Sequence, residues 1–330
     1  PALSAIAARA ARRTAVPAAG LIVLGGPTAS GKSAYALALA EALGGVVVNA
    51  DSMQVYRELR VVTARPGPAE EARAPHRLYG VLRATEPCSA GRWLAMAEAA
   101  IGEAAGEGRP AVVVGGTGLY LKALLHGLAP VPDVPPAVRA EAEALHARLG
   151  GAAFRARLAE RDPAMAARLR PSDRQRLVRA YEVVAATGRS LAAWQAEAPP
   201  RRARLPGRRV GLALTPPRAE LYARIGRRLR AMIAAGGLDE VRALAALGLD
   251  PGLPLMKAVA VPELLDFVAG RTDLEGALAR AATSTRRYAK RQLTWLRHQL
   301  PELTPLPAFG DAAAGLPDAA ALRRALLTTS

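Results

Sequence analysis

Leu21-Ile22-Val23-Leu24-Gly25-Gly26-Pro27-Thr28-Ala29-Ser30-Gly31-Lys32-Ser33 is the stretch on which the fold turns. Leu21–Leu24 is a short apolar run closed by Gly25-Gly26-Pro27, the pattern of a buried parallel strand. From Ser33 to Leu43 apolar residues recur at helical spacing, and Gly44-Gly45 stops the helix. Between them Gly26–Ser33 fits GxxxxGK[ST], with the strand before and the helix after that this pattern needs. Glycine at such positions lets backbone N–H groups converge on phosphate oxygens at the positive end of the following helix. Lys32 supplies a point charge for the terminal phosphate, and the Ser33 hydroxyl suits Mg²⁺. Gly26, Pro27, Thr28, Ala29, Ser30, Gly31, Lys32 and Ser33 are thus candidates to hold a di- or triphosphate, whatever is attached to it.

Two further apolar runs follow in the same style. Val46-Val47-Val48 ends at Asn49-Ala50-Asp51, and Ala111-Val112-Val113-Val114 runs into Gly115-Gly116-Thr117-Gly118, with a helix around 90–107 before it. Strands separated by helices predict a parallel sheet with right-handed crossovers. Ligands of such sheets collect at the carboxyl ends of the strands, so Asp51 and Thr117 are placed where chemistry is expected. Asp51 could hold Mg²⁺ or act as a general base opposite the diphosphate, and the residue types leave these two roles balanced. It could also simply cap the next turn. The third strand ends in glycine and a hydroxyl, where a motor-type NTPase would carry a second acid. The bland reading of these glycines is a turn that needs positive φ, and it is compatible with a functional one.

Hydrophobic residues at 51% and charged residues at 22% exclude wholesale disorder. No run approaches the ~18 apolar residues of a bilayer span. The single Cys88 excludes an intrachain disulfide or a multi-cysteine zinc site and fits a reducing, cytoplasmic setting. The net charge of +17 is uneven: residues 1–130 carry 13 basic and 9 acidic side chains, residues 131–330 carry 32 and 19. A polyanionic partner for the second part is the sharp reading, and an arginine-rich surface without a role is the bland one.

The organisation expected is α/β. Residues 1–19, basic and acid-free, form a disordered extension, and 20–133 with 205–300 form the phosphate-loop core. Residues 134–204 form an inserted all-helical domain between the proline-rich segments Pro130–Pro136 and Pro199–Pro206, and 301–330 form a loosely ordered tail. Val210–Leu214 is the strand that returns the chain to the sheet. Asp173–Arg179 and Tyr288–Arg297 are basic helices with polar and aromatic residues interleaved, suited to phosphate backbones and stacked bases.

At this point a resemblance emerges. Gly26–Ser33 (GPTASGKS), Asp51–Arg57 (DSMQVYR), Thr63–Pro66 (TARP), Ala74–Arg77 (APHR), Val114–Leu128 (VGGTGLYLKALLHGL), Asp173–Ala180 (DRQRLVRA), Leu221–Ile225 (LYARI) and Arg286–Arg297 (RRYAKRQLTWLR) resemble the tRNA dimethylallyltransferase family, bacterial type. The motifs run in order over roughly 20–300.

The resemblance implies a P-loop NTPase-like parallel sheet flanked by helices, with an inserted helical domain. It implies transfer of a dimethylallyl group from its diphosphate to the adenine adjacent to the anticodon in tRNAs reading codons that begin with U. It also implies Mg²⁺ at Ser33, the tRNA anticodon stem-loop as partner, no membrane, and a monomer. Asp51 is then the general base, Thr28 the catalytic threonine and Arg224 the diphosphate-contacting arginine. Contacts to tRNA fall on Asp51, Ser52, Met53, Gln54, Thr117, Arg139, Gln175, Arg176, Leu177, Val178 and Arg179. Relatives often carry Gly-Tyr where this chain has Ala260-Val261. The competing readings are a prenyltransferase of free adenine nucleotides and a non-catalytic RNA-binding NTPase.

Overall fold

In a computed structural model, residues 20–197, 205–312 and 315–327 are described; the expectation for 1–19 lies outside them. The chain divides into two compact units, one of Pro1–Leu125 with Ala203–Ser330 and one of His126–Arg202.

The first unit is built on a six-stranded sheet in the order β3-β2-β4-β1-β5-β6. Its strands are β1 (Leu21–Gly25), β2 (Val46–Asn49), β3 (His76–Arg77), β4 (Ala111–Gly115), β5 (Arg209–Leu214) and β6 (Thr304–Leu306). Every pairing is parallel, and β1 lies between β4 (Leu21 opposite Ala111) and β5 (Leu21 opposite Arg209). The chain leaves β1 for β2 on one side and returns through β4, so strand order reverses beside β1. That switch point opens a crevice at the carboxyl ends of β1 and β4. All residues of β1, β2 and β4 are buried, which is why these strands read as unbroken apolar runs.

Helix α1 (Lys32–Leu43) follows Gly31 at φ 80° and ends at Gly44 at φ 65°, whose N–H returns to the Ala40 and Glu41 carbonyls. Only glycine adopts that geometry freely, so the two glycines fix where the helix starts and stops. Its Tyr35, Ala36, Leu39 and Ala40 pack on Ile22, Leu24, Val112 and Val114 of the sheet. Helix α2 (Ala90–Gly106) is capped by Ser89, which accepts from the Arg92 N–H, and α3 (Gly118–His126) follows β4.

The expectation of a loosely ordered tail from 301 is corrected. Thr304–Leu306 forms β6 against Leu212–Leu214 of β5, and Leu322 and Leu326 of a final helix (Ala319–Leu327) enter the main core. The Tyr35 hydroxyl donates to the Pro317 carbonyl at 2.6 Å. Three residues containing Pro305 carry too little periodicity to read as a strand, and proline is tolerated there because the strand is an edge.

The second unit is helical: α4 (Pro136–Ala159), α5 (Pro163–Arg168), α6 (Arg174–Thr187) and α7 (Leu191–Glu197). Phe154, Leu158, Leu177, Val178, Tyr181 and Val183 form its core. Glu182 is buried within it and is held by Arg139 and Arg179.

In the first unit α8 (Arg218–Met232) leads through a widened π turn (Ile233–Gly237) into α9 (Leu238–Ala246). Helix α10 (Val261–Val268) then precedes the long α11 (Leu274–Gln299). Ala260, at the start of α10, is buried at φ 73°. That left-handed conformation strains an alanine by roughly 1–2 kcal/mol, and glycine would adopt it freely.

Candidate active site

The site begins at the phosphate loop. After β1 the chain turns at Gly26, and Ala29 (φ 64°) and Gly31 (φ 80°) bend it back so that α1 begins at Lys32. The Lys32 ammonium reaches back to the Pro27 carbonyl at 3.3 Å. Burial pushes its pKa down to about 8; Asp51 opposes that shift and Arg228 adds to it.

At the end of β2, Asn49 acts as a buried template. Its Oδ1 accepts from the Asp51 N–H at 2.8 Å, and its Nδ2 donates to the Asp51 and Leu78 carbonyls, each at 3.0 Å. The Trp93 indole N–H donates to the Asn49 carbonyl at 2.9 Å. Asp51 Oδ1 accepts from the Met53 N–H at 3.0 Å, so the carboxylate is aimed by its own turn.

The end of β4 completes the edge. Thr117 Oγ1 accepts from the Ser52 N–H at 2.9 Å and lies 3.1 Å from the Ser52 hydroxyl. The glycines here do not supply positive φ; Gly115, Gly116 and Gly118 are absent from the residues with that conformation. They permit close approach instead. A Cβ on Gly115 would lie 2.0 Å from the Ala50 carbonyl oxygen, one on Gly116 2.1 Å from Gln292 Nε2, and one on Gly118 2.0 Å from Trp295.

Helix α11 covers this edge, and Gln292 is its brace. Its Oε1 accepts from the Thr28 N–H at 2.9 Å and its Nε2 donates to the Gly116 carbonyl at 2.9 Å, tying the phosphate loop to the β4 turn. Gln292→Leu leaves both backbone groups unpaired in a buried place, at about 1–3 kcal/mol each. A lower urea midpoint together with weaker diphosphate binding is the expected result. An unchanged midpoint would mean that water replaces the amide.

These elements enclose a cavity of about 280 Å³. Thr28, Ala29, Asp51, Ser52 and Met53 line one side, Val62 and Thr63 another, and Ile225, Arg228, Leu229 and Met232 of α8 a third. Ala258–Ala260, Thr285, Tyr288 and Arg291 close it. The Arg228 pKa is lowered by burial, with Asp51 acting against the shift. Burial and the Asp51 charge push the Tyr288 phenol up, while its contacts with Thr117 and Gln292 act in the opposite direction.

The sequence-predicted residues divide accordingly. Thr28, Asp51, Ser52 and Met53 share the cavity, and Thr117 supports Ser52 from behind. Gln54 donates to the Thr63 and Ala64 carbonyls at 2.8 and 3.0 Å, bracing a wall. Arg224 is not part of the lining: it forms a two-pronged ion pair with Asp311 and stacks on Phe309 at 4.9 Å. Arg228, one turn further along α8, faces the cavity in its stead, and helical periodicity from Arg224 was the only signal that could have found it.

In the helical unit Arg139, Gln175 and Arg176 are exposed and Arg179 is half-buried. Leu177 and Val178 are buried in that unit's core, so the expectation of side-chain contacts to RNA from these two is corrected to packing. The α6 backbone turns them inward because they follow Arg176 on the apolar stripe of the helix.

Known proteins carry the same plan. The sequence matches the family model described as IPP transferase over residues 54–299 and that described as isopentenyl transferase over 19–86. A tRNA dimethylallyltransferase of Rhodospirillum rubrum is 59% identical over 280 residues, 85% of this chain and 86% of the relative. That of Rhodospirillum centenum is 58% identical over 284 residues, 85% of this chain and 89% of the relative. Among solved structures, the tRNA isopentenylpyrophosphate transferase of Bacillus halodurans is 33% identical with a TM-score of 0.62, covering 87% of this chain and 89% of its own. A eukaryotic dimethylallyltransferase acting on tRNA is alike in fold, with a TM-score of 0.73 at 24% identity over 88% of this chain and 74% of its own. With a phosphate loop, a carboxylate and an apolar wall gathered in one cavity and relatives of this closeness along most of its length, the chain belongs to the tRNA dimethylallyltransferase family.

Proposed function

We propose that this protein transfers the dimethylallyl group of dimethylallyl diphosphate to the exocyclic N6 of the adenine next to the anticodon, on its 3′ side, in tRNAs reading codons that begin with U. The observation that carries this reading is the single cavity in which Asp51, the phosphate-loop residues Thr28 and Ala29, and the apolar Val62, Ile225, Leu229 and Met232 meet. A charged leaving group, a five-carbon apolar group and a weakly nucleophilic amine need those three surfaces together.

In the reaction the bond between the allylic carbon and the diphosphate oxygen breaks, and its electron pair leaves with diphosphate. The N6–carbon bond forms, and the N6 proton passes to Asp51. The adenine amine is a poor nucleophile because its lone pair is delocalised into the ring, so removing the proton as the bond forms lowers the barrier. Lys32, the loop N–H groups, the Thr28 hydroxyl and Arg228 stabilise charge that grows on the diphosphate. Arg224 would reach the diphosphate only by leaving its pair with Asp311.

The adenine has to leave the stacked anticodon loop, at a few kcal/mol, to enter. Arg139, Gln175, Arg176 and Arg179 in the helical unit then meet RNA phosphates.

The donor set also fits Mg²⁺. Ser33 is exposed on the first turn of α1, and among the described residues no group of three or more His, Cys, Asp or Glu side chains forms a metal cage. A lone hydroxyl beside a diphosphate suits an ion that takes most of its ligands from phosphate and water. When bound there, Mg²⁺ neutralises charge on the leaving diphosphate. A monomer is the expected active form. No helix among the described residues is long and apolar enough to cross a membrane.

Incubation with labelled dimethylallyl diphosphate, Mg²⁺ and a matching tRNA should label the RNA, and replacing the target adenine should abolish the label. Label on AMP, ADP or ATP in preference to tRNA would favour the free-nucleotide reading. No label on intact tRNA would sink the proposal.

A further inference from the structure

We propose that Glu240, which lies outside the cavity, is a positioning residue that sets the distance between the cavity's two apolar walls. The inference rests on the reading of the cavity as the prenyl-transfer site. It starts from an unusual set of hydrogen bonds. Glu240 Oε1 accepts from the Arg60 and Val61 N–H groups, each at 2.9 Å. Its Oε2 accepts from the Val61 N–H at 2.9 Å and the Val62 N–H at 3.1 Å. Three consecutive backbone N–H groups therefore converge on one carboxylate, a concavity that favours an anion.

The segment they belong to is a turn, closed by the Ala64 N–H donating to the Val61 carbonyl and the Arg65 N–H to the Arg60 carbonyl. It runs outside the sheet, and Ala64 sits at φ 51°, which a non-glycine residue adopts only when its surroundings enforce it. Its carbonyls are fixed from the opposite side by Gln54, which donates to Thr63 and Ala64. The Thr63 hydroxyl donates to the Leu59 carbonyl at 2.7 Å. Glu240 and Gln54 thus grip the two polar edges of one turn, and that turn presents Val62 and Thr63 to the cavity.

The second half of the argument is covalent. Glu240 stands in the first turn of α9, where the helix dipole favours a negative charge. Across the kink at Ile233–Gly237, where Gly236 takes φ 91°, it follows α8, whose Ile225, Arg228, Leu229 and Met232 form the facing wall. Gly237 packs beside Val61 where the two segments meet: a Cβ there would lie 3.5 Å from Val61 Cγ1. One stretch of chain therefore carries one wall on its helix and holds the other wall by its carboxylate. The gap into which the allyl group and the adenine must fit is fixed by that grip, while the phosphate loop is anchored separately through Gln292.

This separation makes the test specific. In Glu240→Gln one carboxylate oxygen becomes an amide donor facing N–H groups. The KM for dimethylallyl diphosphate should rise about tenfold or more, as expected when the displaced wall loses contact with roughly two carbons of the apolar group. The affinity for inorganic diphosphate with Mg²⁺ should stay within about twofold, since it reads the loop and not the gap. Amide exchange at 60–64 should quicken while exchange in β1 and β4 stays as in the parent. Glu240→Asp keeps the charge on a shorter arm and should fall between the parent and Gln.

Loss of diphosphate affinity in parallel with KM, or an unchanged KM with loosened amides, would overturn the proposal. A Gln variant too unstable to assay leaves the Asp variant to decide by the same ratio. If the parent protein itself transfers no prenyl group to tRNA, the functional reading has failed. The grip of Glu240 on the 60–62 amides is still judged by exchange, and unchanged protection there would refute it independently.

Discussion

Asp51→Asn should slow prenyl transfer by about 10²–10⁴-fold, the range that a positioned general base contributes. The asparagine side chain can still accept from the Met53 N–H through its oxygen, so the turn after β2 survives and the loss reads proton acceptance alone. Binding of tRNA should change by less than about twofold, because an interaction made only in the transition state does not contribute to ground-state affinity. Single-turnover rates and filter-binding affinities on the same protein separate the two quantities. A parallel fall in both would recast Asp51 as an anchor for RNA, and the proton would need another acceptor.

The second large effect is expected at Lys32. Lys32→Met should abolish measurable binding of Mg²⁺-diphosphate, because the loop keeps its N–H groups but loses its only side-chain charge. In the parent protein the ammonium has a pKa of about 8 against an ordinary 10.5, lowered chiefly by burial. Affinity for diphosphate should therefore decline as pH rises through about 8. Titration of diphosphate itself is controlled for by measuring its Mg²⁺ affinity across the same pH range.

The same shift bears on stability. Between pH 8 and 10.5 the unfolded chain still holds a proton that the folded chain has released. The contribution of this group to stability therefore rises with pH across that window, and below it the buried charge opposes folding. Calorimetric midpoints of parent and Lys32→Met should converge as pH increases. A gap independent of pH would show that Lys32 is not desolvated in the folded protein.

The parts of this molecule that the sequence discloses are those coded by neighbours. Leu21–Leu24, the loop to Ser33 and the helix to Leu43 are contiguous, and each restricts the reading of the next. Asp51 is legible because it ends an apolar run. Gln292 is not, since nothing near it says that its amide will span from Thr28 to Gly116. Glu240 looks like any acidic residue in a helix's first turn, and its partners at 60–62 lie far away in sequence. Arg228 belongs to no motif, and it reaches the cavity because it lies one helical turn beyond Arg224. Gly115, Gly116 and Gly118 were visible as a group, yet their reason is a neighbour's bulk and not their own backbone angles.

The place of β6 has a bearing on how the protein is made. Phe309-Gly310-Asp311 follows that strand and packs on the outer face of the phosphate loop, with the Gly310 N–H donating to the Ser30 carbonyl at 2.8 Å. A ribosome adding about 5–20 residues per second exposes the loop long before it releases this segment. During that interval the edge of β5 is unpaired, and the apolar surface later covered by Leu306, Leu322 and Leu326 is open to solvent. The nascent chain is thus exposed to chaperones and proteases while its phosphate loop is translated but not yet buttressed. Ribosome-stalled chains ending before residue 300 should be cleaved near β5 by added protease, and chains extended past Leu327 should resist.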